Sequence, residues 1–454
     1  NFSSSAALCT EEGCFPRLFI IGTQKGATTS LYRALEGQAK DDNGACGAKM
    51  MKSWPDVNTA ISEKEAHVFD MRERCWKMLM EKPSLYPGLY KSQHCKSHNF
   101  LDATPRYIRN PIAAPRIPLM MPGHWLPKLR MVLSIREPIA RDLSWFNHKL
   151  SAALVALSPE KTAHHVPTLQ NDSFCSLRPS ERKNSLGLYE GGLIPHYAAE
   201  VRCRKKEIDE CLLQAQQRLD QGARVPVDED ESNLLHRSRA NVRPYPDSEE
   251  GVGDQELRDA WMLDQYDECA GNIWQNWDQA ASSNSQGSSN VTEWEGGDPP
   301  VLSWGFYLPQ IRAWTQRAGV SRSQLLVLDF DRMVTRADDI LPRVTDFMGL
   351  PRLKDNSLPH KNAAGECAGL SCGKVDVMSC ETFKLLDSVY AEWNDVLVRG
   401  LQRDRARNIS PPQEPWFTGF TSKVECAEEE VFSRGDDDGQ AASRDVRARY
   451  QGEP

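Results

Sequence analysis

The sequence lacks long apolar runs and an excess of basic charge. Its apolar stretches, such as Leu18 to Ile21 and Leu325 to Leu328, fall far short of the roughly 18 residues that a membrane-spanning helix needs, so they are interpreted as buried strands. The 55 lysines and arginines against 63 aspartates and glutamates give a net charge of −8. This balance does not indicate a nucleic-acid-binding surface, and a polyanionic ligand would need a local basic cleft.

A Cys-x-x-Cys pair is also absent, so the sequence does not indicate a structural zinc site, and no metal is expected. The chain nevertheless has 13 cysteines, which is more than a protein of a reducing compartment usually requires. Several of them lie at short spacings that predict disulfides: Cys9/Cys14, Cys203/Cys211 and Cys367/Cys372/Cys380.

N-glycosylation sequons occur at Asn1, Asn171, Asn290 and Asn408. Together with the cysteines, they favour the oxidising side of a membrane. The chain begins at Asn1 rather than at methionine, and we expect a signal or membrane anchor upstream of it.

Three segments have the pattern of a buried strand followed by a helix. FPRLFIIG leads through a small polar loop into LYRALEG, and LRMVLSI at 129–135 leads into REPIARDLSWFNHKL. The third strand, QLLVLDFDRM at 324–333, precedes the helical pattern ILPRVTDFMGL. Continuous apolar strands that alternate with helices are typical of parallel sheets. The sequence therefore predicts an α/β fold with a P-loop-like parallel sheet flanked by helices.

The composition divides the chain into five parts. Residues 1–14 are interpreted as the remnant of an N-terminal stem, and 15–150 and 301–417 as the two halves of one core, the second with a C-terminal helix. Polar sequence such as VDEDESN and SSNSQGSSN predicts an insertion at 151–300 that is partly helical and partly disordered. The acidic residues 418–454 are interpreted as a mobile tail.

The first strand–loop–helix unit has the pattern of an anion-binding loop. Residues 22–30, GTQKGATTS, place a lysine and small residues where a strand turns into a helix. Small residues let backbone N–H groups approach an anion, and the helix N-terminus favours negative charge. Taken alone, such a loop is more often an ordinary Gly-containing turn, and its spacing differs from G-x-x-x-x-G-K-[ST]. The candidate anion-binding residues are Lys25, Gly26, Ala27, Thr28, Thr29 and Ser30.

A second candidate anion site follows the strand at 129–135. Arg136 would present a planar, charged fork to a phosphate, and Ser144, one helical segment later, would add a hydroxyl donor. Glu137 and Arg141, which lie between them, are interpreted as structural ion-pairing residues. Two candidate anion sites in one core are together a stronger signal for a phosphate-bearing ligand than either site alone.

These two sites resemble the nucleotide site of sulfotransferases that use 3′-phosphoadenosine 5′-phosphosulfate (PAPS). FIIGTQKGATTSL matches the family's 5′-phosphosulfate loop, G-x-x-K-x-G-T-T-S-L, except that Ala27 replaces the usual glycine, and Arg136 and Ser144 match its 3′-phosphate clamp. The resemblance covers roughly 15–150 and 300–400 and is nearest the branch with N-acetylgalactosamine 4-sulfate 6-O-sulfotransferase and the heparan sulfate sulfotransferases. It implies PAPS as the sulfuryl donor and no metal. Alanine at position 27 would be strained if that position needs a positive φ.

The segment SEKEAHVFD at 62–70 resembles the KE-x-H-F-F-D segment of glycosaminoglycan sulfotransferases. The resemblance implies that Glu65 is the base, because the attacking hydroxyl must lose its proton as the new S–O bond forms. His67 and Asp70 would orient the acceptor or tune the base, and Lys64 would contact a sulfate or carboxylate of the glycan. Without the resemblance, a charged KEAH turn is usually a solvated face.

A further segment, FLDATPRY at 100–107, resembles the family's acceptor-lining E-K-T-P-x-Y. It makes Arg106 a candidate substrate-binding residue. Ala103 stands where the family often has a lysine, so Lys25 would have to supply more of the positive charge.

The resemblance therefore implies a carbohydrate O-sulfotransferase, with Lys25 and Glu65 as catalytic residues and a glycan as the partner. The family implies the Golgi lumen, with a type II membrane anchor in the full-length protein, and a secreted form as an alternative. Two other functions stay open. An inactive lumenal glycan-binding protein would fit Ala27 and Ala103, and a P-loop kinase would use ATP and magnesium.

Overall fold

The computed structural model describes 13 stretches of the 454-residue chain. They are residues 9, 11, 13–36, 45–47, 64–70, 73–90, 99–110, 112–156, 193–220, 301–359, 378–420, 424 and 426–427. Most of the predicted insertion and most of the acidic tail lie outside these residues.

A four-stranded parallel sheet forms the centre of the fold. Its strands are β1 (Leu18–Gly22), β2 (Leu101–Asp102), β3 (Arg130–Ile135) and β4 (Leu325–Asp329). They are arranged in the order β2–β1–β3–β4, so the chain runs from β1 to one neighbour and then crosses to the other side for β3. The predicted α/β fold, with a parallel sheet flanked by helices, is confirmed.

Both faces of the sheet are buried. On β1, Phe19 and Ile21 join one apolar cluster while Leu18 and Ile20 join the other, because successive side chains of a strand point to opposite faces. The strands β3 and β4 alternate in the same way. Two covered faces explain why these strands read as continuous apolar runs rather than as alternating ones.

Helices cover the two faces. Those of the described residues are α1 (Thr28–Glu36), α2 (Glu73–Glu81), α3 (Ala113–Met120), α4 (Pro138–Ala156), α5 (Leu193–Asp220), α6 (Tyr307–Arg317), α7 (Phe330–Thr335), α8 (Ala337–Met348) and α9 (Cys380–Ala406). Short 3₁₀ segments lie at Pro83–Leu85, Pro87–Leu89, Gly123–Lys128, Val301–Gly305 and Arg322–Gln324. Apolar residues of α3, α6 and α9 pack in one cluster, and those of α1 and α8 in the other. No helix in these stretches combines the length and apolar character needed to cross a membrane.

The third predicted strand is shorter than its apolar pattern indicates. It ends at Asp329, whose side chain accepts a hydrogen bond from the Asp331 N–H and so caps α7. Residues 330–333, predicted as strand, therefore belong to a helix. The next helix, α8, ends as predicted at Gly349, which adopts a left-handed φ of 65°.

Part of the predicted insertion packs on the core. Asp142 of α4 is fully buried and accepts a hydrogen bond from the Tyr197 hydroxyl at 2.7 Å. Arg204 pairs with the same carboxylate at 3.3 Å. Both partners lie on α5, so this helix of the insertion is held against the core by a buried charge pair.

The C-terminal segment covers the outer edge of the sheet. Glu414 accepts a hydrogen bond from the Val327 N–H of the edge strand β4 at 3.0 Å and pairs with buried Arg322 at 2.7 Å. Arg322 also pairs with Asp404 of α9 at 2.9 Å. No described strand pairs with the outer edge of β4, and a side chain of the same chain satisfies part of it, which is one way to block edge-to-edge association.

Two disulfides join described cysteines. The predicted Cys9–Cys14 bond is confirmed. Cys380, which sequence spacing grouped with Cys367 and Cys372, is bonded to Cys426 instead. Next to it, the strand Met378–Ser379 (β5) pairs with Cys426–Ala427 (β6), so the start of the predicted mobile tail is tied to the core. Cys46 and Cys203 are also disulfide-bonded.

Candidate active site

The predicted anion-binding loop connects β1 to α1 and packs against the end of β3. The Thr23 N–H and hydroxyl both donate to the Ser134 carbonyl, at 2.8 and 3.0 Å. A Cβ on Gly26 would lie 2.8 Å from that same carbonyl oxygen, so only glycine fits this close approach. Thr28, Thr29 and Ser30 form the first turn of α1, whose N–H groups have no partner within the helix. The loop therefore presents backbone donors at the carboxyl end of β1.

Ala27 adopts the conformation that the usual glycine would accept without strain. Its φ is 55°, and the φ of Lys25 is 68°. Left-handed backbone costs an alanine roughly 1–2 kcal/mol relative to the right-handed region. Alanine at position 27, where the family has glycine, is therefore conformationally strained.

Replacing Ala27 by glycine should raise the free energy of unfolding by about 0.5–1 kcal/mol, because relief of the left-handed strain exceeds the extra chain entropy of glycine. Chemical denaturation measures the change. Ala34→Gly, in the interior of α1, is the matched control and should lower the same quantity by about 1 kcal/mol. Equal destabilisation by both variants would show that position 27 is not strained.

Arg136 reaches the same loop from the end of β3. Its guanidinium Nη1 donates to the Lys25 carbonyl at 3.2 Å and lies over the Phe330 ring, 4.6 Å from its centroid. Burial lowers the pKa of Lys25, and the nearby Arg136 charge lowers it further. Burial likewise lowers the pKa of Arg136. Two cations thus share a partly desolvated site, an arrangement that favours a bound anion.

The strand order explains why these two cations meet. Because β1 continues to β2 on one side and β3 lies on the other, the crevice between the carboxyl ends of β1 and β3 is the topological switch point of the sheet. Ligands of open α/β sheets bind at such crevices. Lys25 and Arg136 flank this one.

Glu137 and Ser144 lie on the helix that follows Arg136. The Glu137 carboxylate accepts the Ile139 and Ala140 N–H groups at 3.0 and 2.6 Å, so it caps α4. Arg141, predicted to form a structural ion pair, is buried over the rings of Trp304 and Tyr307. Ser144 is half-buried and lies on α4 about 9 Å along the helix axis from its start.

Tyr307 joins the two segments that are predicted to bind anions, and its sequence pattern did not reveal this contact. Its hydroxyl donates to the Arg136 carbonyl at 2.7 Å and lies near the Thr23 side chain. Its ring lies 6.2 Å from that of Phe420. The tyrosine is almost fully buried, so it joins the loop after β1 to the end of β3 away from solvent.

The predicted acceptor-side residues form one hydrogen-bonded cluster. Lys64 Nζ lies 2.6 Å from Glu65 Oε1, and His67 Nε2 lies 3.0 Å from Glu65 Oε2. The other ring nitrogen of His67 is 3.0 Å from Asp70 Oδ2, and Arg106 Nε is 3.7 Å from the same oxygen. We call Lys64, Glu65, His67, Asp70 and Arg106 the acceptor-side cluster.

The charges within the cluster shift each other's pKa. Burial favours the neutral form of Glu65, but the His67 hydrogen bond and the Lys64 charge outweigh it and lower the pKa to about 2. Burial also opposes the charge on His67, yet Asp70 and Glu65 raise its pKa to about 9. The pKa of Asp70 is lowered, since His67 outweighs the effect of burial. At neutral pH the cluster therefore holds a histidinium between two carboxylates.

The segment after β2 links this cluster to β1, the strand that leads into the predicted anion-binding loop. The Ala103 N–H donates to the Lys64 carbonyl at 2.9 Å, and the Ile108 N–H donates to the Ile21 carbonyl of β1 at 2.8 Å. Ala103 is fully buried in the apolar cluster that includes α1. A lysine at position 103 would therefore have to extend out of the core, and Lys64 and His67 supply the positive charge beside Glu65.

Arg109 is a further residue near the acceptor-side cluster, and the sequence did not point to it. Its guanidinium lies 3.2 Å from the centroid of the Trp304 ring and 5.6 Å from that of Trp145 on α4. Its charge also contributes to the lowered pKa of Asp70. No motif marks Arg109, because the aromatic residues that hold it come from distant parts of the chain.

No protein-family model matches the chain, and no curated protein sequence matches it significantly. Among solved structures, the crystal structure of a sulfotransferase from Alicyclobacillus acidocaldarius matches with a TM-score of 0.36 and 14% sequence identity. The match covers 87% of this chain and 98% of that one. A similarity of this size does not assign a function. In the described stretches, no group of three or more histidine, cysteine or carboxylate side chains has the arrangement of a metal site.

Proposed function

We propose that this protein is a sulfotransferase that moves a sulfuryl group from PAPS to a hydroxyl of a glycan. The observation that carries the proposal is the contact between the Arg136 guanidinium and the Lys25 carbonyl at the switch point of the sheet. It brings an ammonium, loop amides and a guanidinium into one crevice, as a nucleotide with two separated phosphate positions requires.

The residues of the crevice fit such a nucleotide. Arg136 Nε is buried and has no hydrogen-bond partner among the described residues, so the guanidinium keeps donor capacity for a phosphate. Gly26 leaves no room for a side chain between the loop and β3, so the loop packs closely against the end of β3. Ser144 on α4 is the candidate second donor beside Arg136.

The chain's own groups have separate tasks in this reaction. When bound, PAPS supplies the sulfuryl group and leaves as 3′-phosphoadenosine 5′-phosphate. Lys25 and the first-turn amides of α1 stabilise the negative charge that develops on the departing phosphate. Arg136 and Ser144 hold the 3′-phosphate, and Tyr307 fixes Arg136 relative to the loop. Positioning and electrostatics supply most of the catalysis.

Glu65 is the proposed base, and its environment suggests how it is activated. A carboxylate with a pKa of about 2 is ionised but weakly basic. One of its two cationic partners, Lys64, lies 2.6 Å away on a flexible side chain. A sulfate or carboxylate of the acceptor that draws Lys64 away would raise the pKa of Glu65. The acceptor hydroxyl would then lose its proton to Glu65 as the new S–O bond forms.

The glycan acceptor and the compartment rest on different support. The KEAH segment resembles that of glycosaminoglycan sulfotransferases. Its side chains form a cluster near the carboxyl end of β2, and the crevice lies at the carboxyl ends of the neighbouring strands β1 and β3. The Cys9–Cys14 and Cys380–Cys426 disulfides and the sequons fit an oxidising lumen. We therefore propose that the reaction takes place in an oxidising lumen, and the resemblance adds the Golgi and an N-terminal membrane anchor to this proposal.

Incubation with radiolabelled PAPS and a glycan panel tests the function. The panel should contain sulfated and desulfated glycosaminoglycans and neutral glycans. We expect label to enter at least one anionic glycan, at a rate that a magnesium chelator does not change. Glycan binding without transfer would favour the inactive binding protein, and magnesium-dependent transfer from labelled ATP would favour the kinase.

A further inference from the structure

Asp102 is a buried carboxylate directly behind the acceptor-side cluster. It is the last residue of β2, its side chain is 1% exposed, and sequence reasoning gave it no role. A buried carboxylate is costly unless its oxygens accept hydrogen bonds. Asp102 accepts two, from the Thr104 hydroxyl at 2.7 Å and from the Tyr107 hydroxyl at 2.9 Å.

Each of these hydroxyls accepts a hydrogen bond in turn from the loop that carries the cluster. Thr104 Oγ1 accepts from the His67 N–H at 3.2 Å, and the Tyr107 hydroxyl accepts from the Val68 N–H at 3.0 Å. The two oxygens of one carboxylate thus hold two consecutive backbone N–H groups through two hydroxyl groups. Because Asp102 can only accept, it orients both hydroxyls so that their lone pairs face the loop.

The loop needs such support at this point. His67 has a φ of 52°, a left-handed conformation that is unfavourable for a residue with a side chain. This conformation allows the His67 ring to lie between Glu65 and Asp70. A small rotation at His67 would move the ring away from Glu65 and change the charge that the base feels.

We propose that Asp102 is a positioning residue that holds His67, and through it Glu65, in the geometry required for proton abstraction from the acceptor. The inference rests on the proposed function, because it concerns the same reaction. The side-chain hydrogen bonds of Asp102 go to Thr104 and Tyr107, not to Lys25 or Arg136. Replacing Asp102 should therefore lower turnover and leave nucleotide binding unchanged.

The protonation state of Asp102 gives this role a pH dependence. Burial raises its pKa to about 6, although the Thr104 and Tyr107 hydrogen bonds and the His67 charge lower it. The ionisable groups that face it are His67, Asp70, Tyr86, Tyr90 and Tyr107. Once protonated, one Asp102 oxygen becomes a donor, so one of the two hydroxyls faces an O–H group instead of an anionic acceptor.

Activity should therefore fall as the pH drops through about 6. Without acceptor, Glu65, with a pKa of about 2, and His67, with a pKa of about 9, do not titrate in that range, whereas in the acceptor complex the raised pKa of Glu65 is a second source of the decline. The 3′-phosphate of the donor does titrate there, so the wild-type profile alone does not identify the group.

Asp102→Asn separates these sources when turnover is measured at saturating PAPS between about pH 5 and pH 8. We expect kcat at about pH 7.5 to fall at least tenfold, the decline below about pH 6 to disappear, and the affinity for 3′-phosphoadenosine 5′-phosphate to stay within twofold. The folded-state pKa of Asp102 lies above its unfolded value, so its charge opposes folding above that pKa. The variant's melting temperature at about pH 7.5 should then be no lower than that of the wild type.

Three single hydroxyl variants provide the matched comparison. Thr104→Val and Tyr107→Phe each remove one connection and should each lower kcat, whereas Tyr90→Phe removes a buried hydroxyl beside the same carboxylate and should not. If Asp102→Asn keeps the wild-type kcat and pH profile while the wild-type protein transfers sulfuryl groups, the inference about Asp102 is wrong. If the wild-type protein transfers none, the proposed function itself fails.

Discussion

Replacing Lys25 by alanine should abolish sulfuryl transfer, with a fall in kcat of at least about a thousandfold. Lys25 brings the loop's ammonium to the crevice, and burial together with Arg136 lowers its pKa. A desolvated cation at the departing phosphate stabilises charge that is largest in the transition state. Alanine keeps the same left-handed backbone demand as lysine, so the variant tests the charge and leaves the strain of the loop unchanged. Transfer of radiolabelled sulfate at saturating PAPS measures the effect.

Lys128→Ala is the matched control. Lys128 is an exposed lysine just before the amino end of β3. The crevice lies at the carboxyl ends of the strands, so Lys128 is at the opposite ends. Its removal should leave kcat within twofold of the wild type. If a Lys25→Ala variant retained more than about a tenth of the wild-type turnover, Lys25 would not be the group that stabilises the departing phosphate.

Replacing Glu65 by glutamine should lower kcat by about 100- to 10,000-fold, the range typical for the loss of a general base. Glutamine preserves the size of the side chain and part of its hydrogen bonding but cannot accept the acceptor proton. The affinity for 3′-phosphoadenosine 5′-phosphate, measured by calorimetry, should stay within a few-fold, because Glu65 belongs to the acceptor-side cluster. The loss should persist at every pH tested.

The pH dependence of the same variant reports on His67. Loss of the Glu65 charge removes one of the two carboxylates that raise the pKa of His67 to about 9, so that pKa should fall when followed by NMR. Glu81→Gln, on the exposed end of α2, should change neither turnover nor the His67 titration. Near-normal turnover of Glu65→Gln would mean that another group accepts the proton.

The sequence predicted those parts of the fold and site that depend on local pattern. The continuous apolar runs around Phe19 and Leu326 predicted buried parallel strands, and GTQKGATTS predicted a loop that ends in a helix N-terminus. The predicted strain at Ala27 also has a local cause, since the positive φ at this position is a property of the loop itself. These features need no knowledge of which strands are neighbours.

The remaining features depend on strand order and on contacts between distant segments. The Arg136–Lys25 contact exists because β3 lies next to β1, and no spacing in the sequence reveals that neighbour. The Cys380–Cys426 pairing was missed because connectivity does not follow from cysteine spacing. Asp102 was missed because the two-residue strand β2 is too short to show a period. The pKa of Glu65 and His67 could not be predicted, since each depends on the other's distance.

Calorimetric titration with 3′-phosphoadenosine 5′-phosphate, adenosine 5′-monophosphate and adenosine 3′-monophosphate tests most directly whether one nucleotide spans both anion sites. The wild-type protein should bind the bisphosphate at least about tenfold more tightly than either monophosphate, since a hydrogen bond to a charged group contributes about 1.5–3 kcal/mol. Arg136→Ala should remove the advantage that the 3′-phosphate gives and leave the affinity for the 5′-monophosphate unchanged. Equal affinity of the wild-type protein for the bisphosphate and the 5′-monophosphate would contradict a shared nucleotide site.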